Sequence, residues 1–277
     1  MQLMSRVLLL FITLFTFFIQ AKAQLLPLST ASDSAKHYYY LGWKQIMDYA
    51  DYTKAEQSYR KSIAFDPEFI LGQSLVGRIS PDIKERYEIL EKINTKKHLA
   101  TEDEQLVADV SVMLIEFLNA REEMDSAKTA EKIAIALQTG LKNFGLIGQK
   151  YPEEVYFISE YFEIVNYLYG PKKALDTLKS YNLSLKKPAP FLIGYESTLE
   201  AALGNYDNAL ELAFKLKKCF KDKKVPKPYV VLGDIYLQKG DLESAYKYIN
   251  KALELDPANR AVQRLKKRAE VLQENNF

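Results

Sequence analysis

Gly240-Asp-Leu242-x2-Ala245-x3-Ile249-x2-Ala252, closed by Pro257, is the stretch that decides the fold. Ala245, Ile249 and Ala252 fall at i, i+4 and i+7 on one helix face, where the small Ala admits a neighbouring helix and Ile249 fills the gap beside it. Just upstream, Tyr229-x2-Leu232-Gly233-x2-Tyr236 places two aromatics, an aliphatic and a missing side chain on one face of a preceding helix. Gly inside a helix costs roughly 1 kcal/mol relative to Ala, so Gly233 marks a crossing point where close approach offsets the loss. Pro257 stops the second helix, because it has no N–H to donate and disfavours helix at the residue before it.

The same pattern is written upstream as Gly204-Asn-Tyr206-x2-Ala209-x3-Ala213-x2-Leu216 and again as Ala50-Asp-Tyr52-x2-Ala55-x3-Tyr59-x2-Ser62. A chain that repeats one helix-turn-helix unit is a stack, since no single unit can bury its apolar face alone. Such a molecule is largely docking surface, which points to function by binding.

The stretch from Pro226 to Asn259 resembles the tetratricopeptide repeat family in its 34-residue length and its signature, with Tyr229 where the family usually has Trp and Ile249 where it usually has an aromatic. Residues 36–69 and 190–223 are similar to it. In the first of these Gln45 replaces the expected Tyr, and the spacing from Gly42 to Ala55 exceeds that from Gly233 to Ala245 by one residue, which puts an extra residue in the turn. The resemblance implies an all-α, right-handed helical-hairpin solenoid over 36–277, with about six helix pairs, behind a linker at 24–35.

Between the ends the family pattern decays while helical periodicity persists. Gly170-Pro171-x2-Ala174-x3-Leu178-x2-Tyr181 reads as a repeat with a shortened turn, and Ala130-x3-Ala134-x2-Leu137 as the second helix of another. The 119 residues from Ala55 to Ala174 do not divide into 34-residue units, so two longer pairs are expected, about Phe69 to Ile93 and about Glu102 to Asn143. Thr101-Glu-Asp-Glu104 is a capping box. Val155 to Tyr169 is apolar nearly all round, the mark of a helix buried mid-stack.

The last helix, 259–274, carries Val262, Leu265, Ala269 and Leu272 as one apolar stripe, with Arg260, Arg264, Lys266, Lys267 and Arg268 around the remainder. A solenoid end needs such a cap, with its other face in water. The competing reading is a basic helix for a membrane surface or an acidic partner.

Arg6 precedes the 13-residue apolar run Val7 to Ile19, and Ala21-Lys22-Ala23 supplies small residues at cleavage spacing. Residues 1–23 therefore read as a secretory signal peptide. The run falls short of the ~20 residues of a spanning helix, which leaves an uncleaved anchor as the alternative. No Cys follows the cleavage site, which argues against a lipoprotein. The expected location is periplasmic or extracellular, with no stable membrane span after cleavage.

Of 38 basic residues, Arg6 and Lys22 leave with that segment, so the remainder balances the 36 acidic residues. That neutrality argues against nucleic acid as partner. The local cluster Lys215, Lys217, Lys218, Lys221, Lys223, Lys224 and Lys227 reads as solvated charge near a helix end. Cys219, the only cysteine, reads as a half-buried small apolar residue, and no intrachain disulfide is possible. Asn182-Leu-Ser184 is a glycosylation sequon in form only.

No catalytic, cofactor or metal site is expected. The only histidines, His37 and His98, lie in different repeats without further ligands at metal spacing. Gly72-Gln-Ser74-Leu-Val-Gly77 has its second Gly one residue too far for a nucleophile elbow, and Ser74 reads as a helix residue.

The resemblance implies a concave wall made by the first helix of each pair, which binds an extended peptide or a partner's helix. Its wall-facing residues would be Tyr39, Trp43 and Met47 in the first repeat and Val230, Asp234 and Gln238 in the last. Trp43 is either a binding anchor or a cover for the open end of the stack. Some family members grip a terminal carboxylate with Lys and Asn on this wall; Val230 and Asp234 stand there instead, which speaks against that mode. The expected function is a non-enzymatic scaffold or adaptor for a protein or peptide partner outside the cytoplasm. The alternative is an accessory or regulatory subunit of a cell-envelope enzyme or transport complex.

Overall fold

The computed structural model describes residues 25–182, 189–221 and 224–274; the expected signal segment 1–23, Leu183 and Ser184 of the sequon, and Lys223 lie outside these. Among the described residues the chain forms thirteen α-helices and no strand. Six hairpins follow one another: α1 (Asp33–Met47) with α2 (Tyr52–Phe65), α3 (Ile70–Ile79) with α4 (Ile83–Lys96), and α5 (Glu102–Glu122) with α6 (Ser126–Lys150). Then come α7 (Val155–Tyr169) with α8 (Pro171–Asn182), α9 (Pro190–Ala202) with α10 (Tyr206–Cys219), and α11 (Lys227–Lys239) with α12 (Leu242–Leu255), before a final α13 (Arg260–Glu274). First helices also pack on first helices, α3 on α5, α9 on α11 and α11 on α13, which is the stacking of a helical-hairpin solenoid.

The repeated small residues are the contact points. Ala245, Ile249 and Ala252 are fully buried on α12. A Cβ on Gly233 would stand 3.1 Å from Ile249 Cγ1, so the two helices touch there. The first repeat is tighter, since a Cβ on Gly42 would lie 2.3 Å from the Tyr59 ring. Gln45, standing where the family has Tyr, accepts a hydrogen bond from the Ser58 hydroxyl of α2 at 2.7 Å.

The turn chemistry recurs as well. Gly240, in the left-handed region at φ 83°, precedes Asp241, whose carboxylate accepts the Ser244 N–H. In the first repeat Ala50 takes that conformation at φ 53°, before Asp51 caps α2 through the Lys54 N–H. A side chain there costs of order 1–3 kcal/mol, so contacts elsewhere must hold Ala50 in place.

Those contacts close the solenoid on itself. The turn between α1 and α2 spans Asp48 to Asp51, whereas Gly240 and Asp241 suffice in the last hairpin. The longer turn reaches the start of α9, where Asp48 accepts the Phe191 N–H at 3.1 Å. It also reaches the start of α11, where the Tyr49 carbonyl accepts the Lys227 N–H at 2.9 Å. First-turn N–H groups have no partner inside their own helix, and the positive dipole end favours the Asp48 carboxylate. The strained Ala50 offers its carbonyl to Asn259 Nδ2 at 2.5 Å. Asp256 accepts the Tyr52 N–H and the Thr53 hydroxyl, both at 2.7 Å.

Residues 25–32, expected as part of a linker, lie along the helix ends. Leu26 is buried and donates its N–H to Glu154 at 2.8 Å, Ser29 donates to Glu104 at 3.0 Å, and the Thr30 hydroxyl bonds to Asp66. Glu104 thereby serves two segments, since it also completes the capping box by accepting the Thr101 N–H. The chain enters α1 at Asp33, three residues before the expected start.

Other details depart from the sequence reading. The helix Val155–Tyr169 buries Phe157, Ile158, Phe162 and Val165, but Tyr167 and Tyr169 at its end are exposed. On α13 the stripe Val262, Leu265 and Ala269 is buried, while Leu272 is 42 % exposed. Cys219 is exposed, not half-buried, at the end of α10. Ser74, by contrast, is the helix residue expected, buried and donating its hydroxyl to the Leu71 carbonyl.

Candidate functional site

Closure turns the concave wall into the lining of a cavity of about 610 Å³. Its apolar side comes from Trp43, Ile46 and Met47 of α1, Leu75 of α3, and Leu114 and Phe117 of α5. Its polar side comes from Arg78, Arg121, Glu160, Glu163, Lys227, Arg260 and Arg264 on α3, α5, α7, α11 and α13. Smaller cavities of about 350 and 250 Å³ adjoin it, and Glu163 lines all three.

The charges in this space are unequally compensated. Arg78 holds both oxygens of Glu160, at 3.0 and 2.9 Å, and its guanidinium lies 5.9 Å from the Trp43 ring. Arg268 reaches Asp234 at 3.3 Å, and Gln238 donates to the same carboxylate at 2.8 Å. Among the described residues no carboxylate pairs with Arg121, Lys227, Arg260 or Arg264. Lys227 lies 4.3 Å from the Phe191 ring centre, Arg121 lies 5.3 Å from that of Phe117, and Arg264 lines the cavity beside Tyr52.

Two groups are displaced from their ordinary titration. Desolvation on the concave side, and next the charge of Glu160, push the Glu163 carboxyl up to about 7, although the side chain is exposed to the cavity. Burial pulls the Lys227 ammonium down to about 8, against the opposing pull of Glu163 and Asp48. Near neutral pH the cavity is therefore net cationic, and low-dielectric walls focus that field.

The structure places the six expected wall residues unevenly. Trp43, Met47 and Val230 line the main cavity and Asp234 the adjoining one. Two patches expected at opposite ends of a stack thus face one space, because the first turn docks on the last repeats. Gln238 lies one turn further along, bonded to Asp234. Tyr39 is 1 % exposed, packed edge-on against Tyr40 and Phe69, so it belongs to the core and not to the wall. Trp43 covers no open end. It is 3 % exposed, stacked on Tyr156 at 5.9 Å and edge-on to Phe157 at 5.7 Å.

Four charged cavity residues, Arg78, Arg121, Glu160 and Glu163, carry no mark in the sequence. Arg260 and Arg264 were assigned to a water-facing side, yet they point inward. Lys227, grouped with solvated lysines, also belongs to the cavity. The available signal was the i, i+4, i+8 spacing of Arg260, Arg264 and Arg268, which makes a separate stripe beside the apolar one.

Among the described residues no group of three or more His, Cys, Asp or Glu is placed to hold a metal ion, and no helix is long and apolar enough to cross a membrane.

The fold and this lining define an all-α helical-repeat protein with a charged, half-open concave cavity. Residues 226–259 match the family described as tetratricopeptide repeat. No curated protein matches the chain. Among solved structures it is similar to one titled as the APC/C hetero-tetramer Cut9-Hcn1, with 15 % identity over 85 % of this chain and 42 % of that one, at a TM-score of 0.43. It is also similar to yeast Tom70, with 15 % identity over 87 % of this chain and 47 % of that one, at a TM-score of 0.43. The chain spans less than half the length of either.

Proposed function

We propose that the protein is a non-enzymatic protein–protein interaction scaffold that acts outside the cytoplasm and captures a segment of its partner in the concave cavity. One observation carries this reading: four cations without a carboxylate partner among the described residues share one half-open cavity with an aromatic and aliphatic wall. That combination of a hydrophobic lining with a few convergent polar groups is what binding sites present. Export rests on the apolar run Val7 to Ile19 and on Ala21-Lys22-Ala23.

Two measurements test it. Intact mass from an envelope fraction should correspond to a chain beginning at Gln24; a full-length chain in the membrane pellet would replace export with anchoring. Affinity purification from the same fraction should recover several substoichiometric companions. A single stoichiometric companion would favour the accessory-subunit reading, and recovery of the protein alone would remove the scaffold reading.

A further inference from the structure

We infer that the captured segment is acidic, its Asp or Glu side chains meeting Lys227, Arg260, Arg264 and Arg121 while an apolar residue enters against Met47 and Phe117. This deepens the reading above and rests on it. The described residues place these four cations around one cavity without an ion pair, although acidic side chains are as abundant as basic ones once residues 1–23 are set aside. The stretches outside the described residues contain a single acidic side chain, Asp222, so most of this charge has no internal partner available.

Position adds to charge. Arg260 and Arg264 sit one turn apart on α13 and project toward the space that α11 and α5 face with Lys227 and Arg121. Concave, low-dielectric walls carrying one sign of charge raise the local concentration of the opposite sign and discriminate against like-charged ligands. The two acids present do not cancel the field. Glu160 is already held by Arg78, and Glu163 is one carboxylate among the remaining cations. The side opposite is apolar, so a segment of mixed acidic and apolar character is the complement. A volume of about 610 Å³ holds a few residues at a time, and the open side lets the rest of the segment run out into solvent.

The test selects binders from a random dodecapeptide library with blocked ends against the wild-type protein. The expected pool is enriched in Asp and Glu and in one apolar position, and its affinity falls as salt is raised. Lys227→Met combined with Arg264→Met should weaken the selected peptides at least about tenfold. Arg260→Lys with Arg264→Lys, which keeps the charge, should retain most of the binding, and circular dichroism checks that each variant is folded. Selected peptides that are neutral or basic, yet are excluded by filling the cavity with Ala261→Trp, would overturn the acidic segment and leave capture in the cavity standing. Acidic peptides insensitive to the double variant would place the site elsewhere and overturn the inference. A single-stranded oligonucleotide that displaces them with equal affinity would replace the acidic segment by a generic polyanion. A selection that yields no binder would remove both the inference and the capture reading.

Discussion

The Asp256 carboxylate accepts the backbone N–H of Tyr52 at 2.7 Å, although the two residues are 204 positions apart. The bond joins the end of the last hairpin to the start of the second helix, and Asp256 is buried where it forms. Asp256→Ala should leave the Tyr52 N–H and the Thr53 hydroxyl without an acceptor, at a cost of about 1–3 kcal/mol. It should also enlarge the radius of gyration, as read by small-angle scattering. Asp241→Ala removes a local helix cap worth about 1 kcal/mol and should leave the dimensions unchanged. Equal dimensions for both variants would mean that this contact does not hold the ring closed.

Helix crossings set the second expectation. Ala245 has no exposed surface on α12, whereas Lys247 on the same helix is exposed. Ala245→Leu should cost about 1–3 kcal/mol by overpacking, and Lys247→Leu little, in chemical denaturation. Gly42→Ala should fall with the first group, because its new methyl would meet the Tyr59 ring at 2.3 Å unless that ring moves. Similar stabilities at positions 245 and 247 would contradict the packing.

Trp43 was open to two readings from sequence, anchor or end cover, and its surroundings now weigh on stability. Stacked on Tyr156 and edge-on to Phe157, it joins the first hairpin to the fourth. Trp43→Ala should destabilise the protein by about 3–5 kcal/mol, as deletion of a buried large aromatic does. The melting temperature reports this directly. An unchanged melting temperature would show that the stack contributes nothing.

Affinity for an acidic peptide should fall as pH rises through about 7 and about 8. Glu163, faced by Glu160 on its own helix, Arg78 from α3, Lys227 from α11, Arg264 from α13 and Tyr195 from α9, gains negative charge through about 7. Lys227, faced by Glu163 and Asp48, loses its positive charge through about 8. Both changes make the cavity less cationic, so their signs agree. Glu163→Gln should abolish the lower step and leave the upper one in a fluorescence titration. Affinity that rises with pH would contradict the assignment of these charges to the ligand site.

The helical pairs were legible because each rests on local spacing. Ala245, Ile249 and Gly233 declare their contacts within one repeat, and Thr101 and Glu104 announce the start of α5 three residues apart. Closure was not legible, since it depends on Asp48, Ala50, Asp256 and Asn259 meeting across more than half the chain. The sequence trace of it is the extra turn residue between Gly42 and Ala55, which shows a longer loop but not what the loop touches. The same gap misplaced the arginines of α13. In an open solenoid everything beside the apolar stripe faces water, whereas in a closed one Arg260 and Arg264 face the interior. Half of the expected wall residues still reached the main cavity, because the first helix of each pair lines the concave side however far the stack curves.

Filling the interior tests the central claim most directly. Ala261 lies between Arg260 and the apolar stripe of α13 and lines both the main and the adjoining cavity. Ala261→Trp adds bulk there without changing charge. Partner capture from the envelope fraction should be lost, while helical content and melting temperature stay near those of the wild type. Undiminished capture by the folded, filled variant would place the working surface on the outside of the ring.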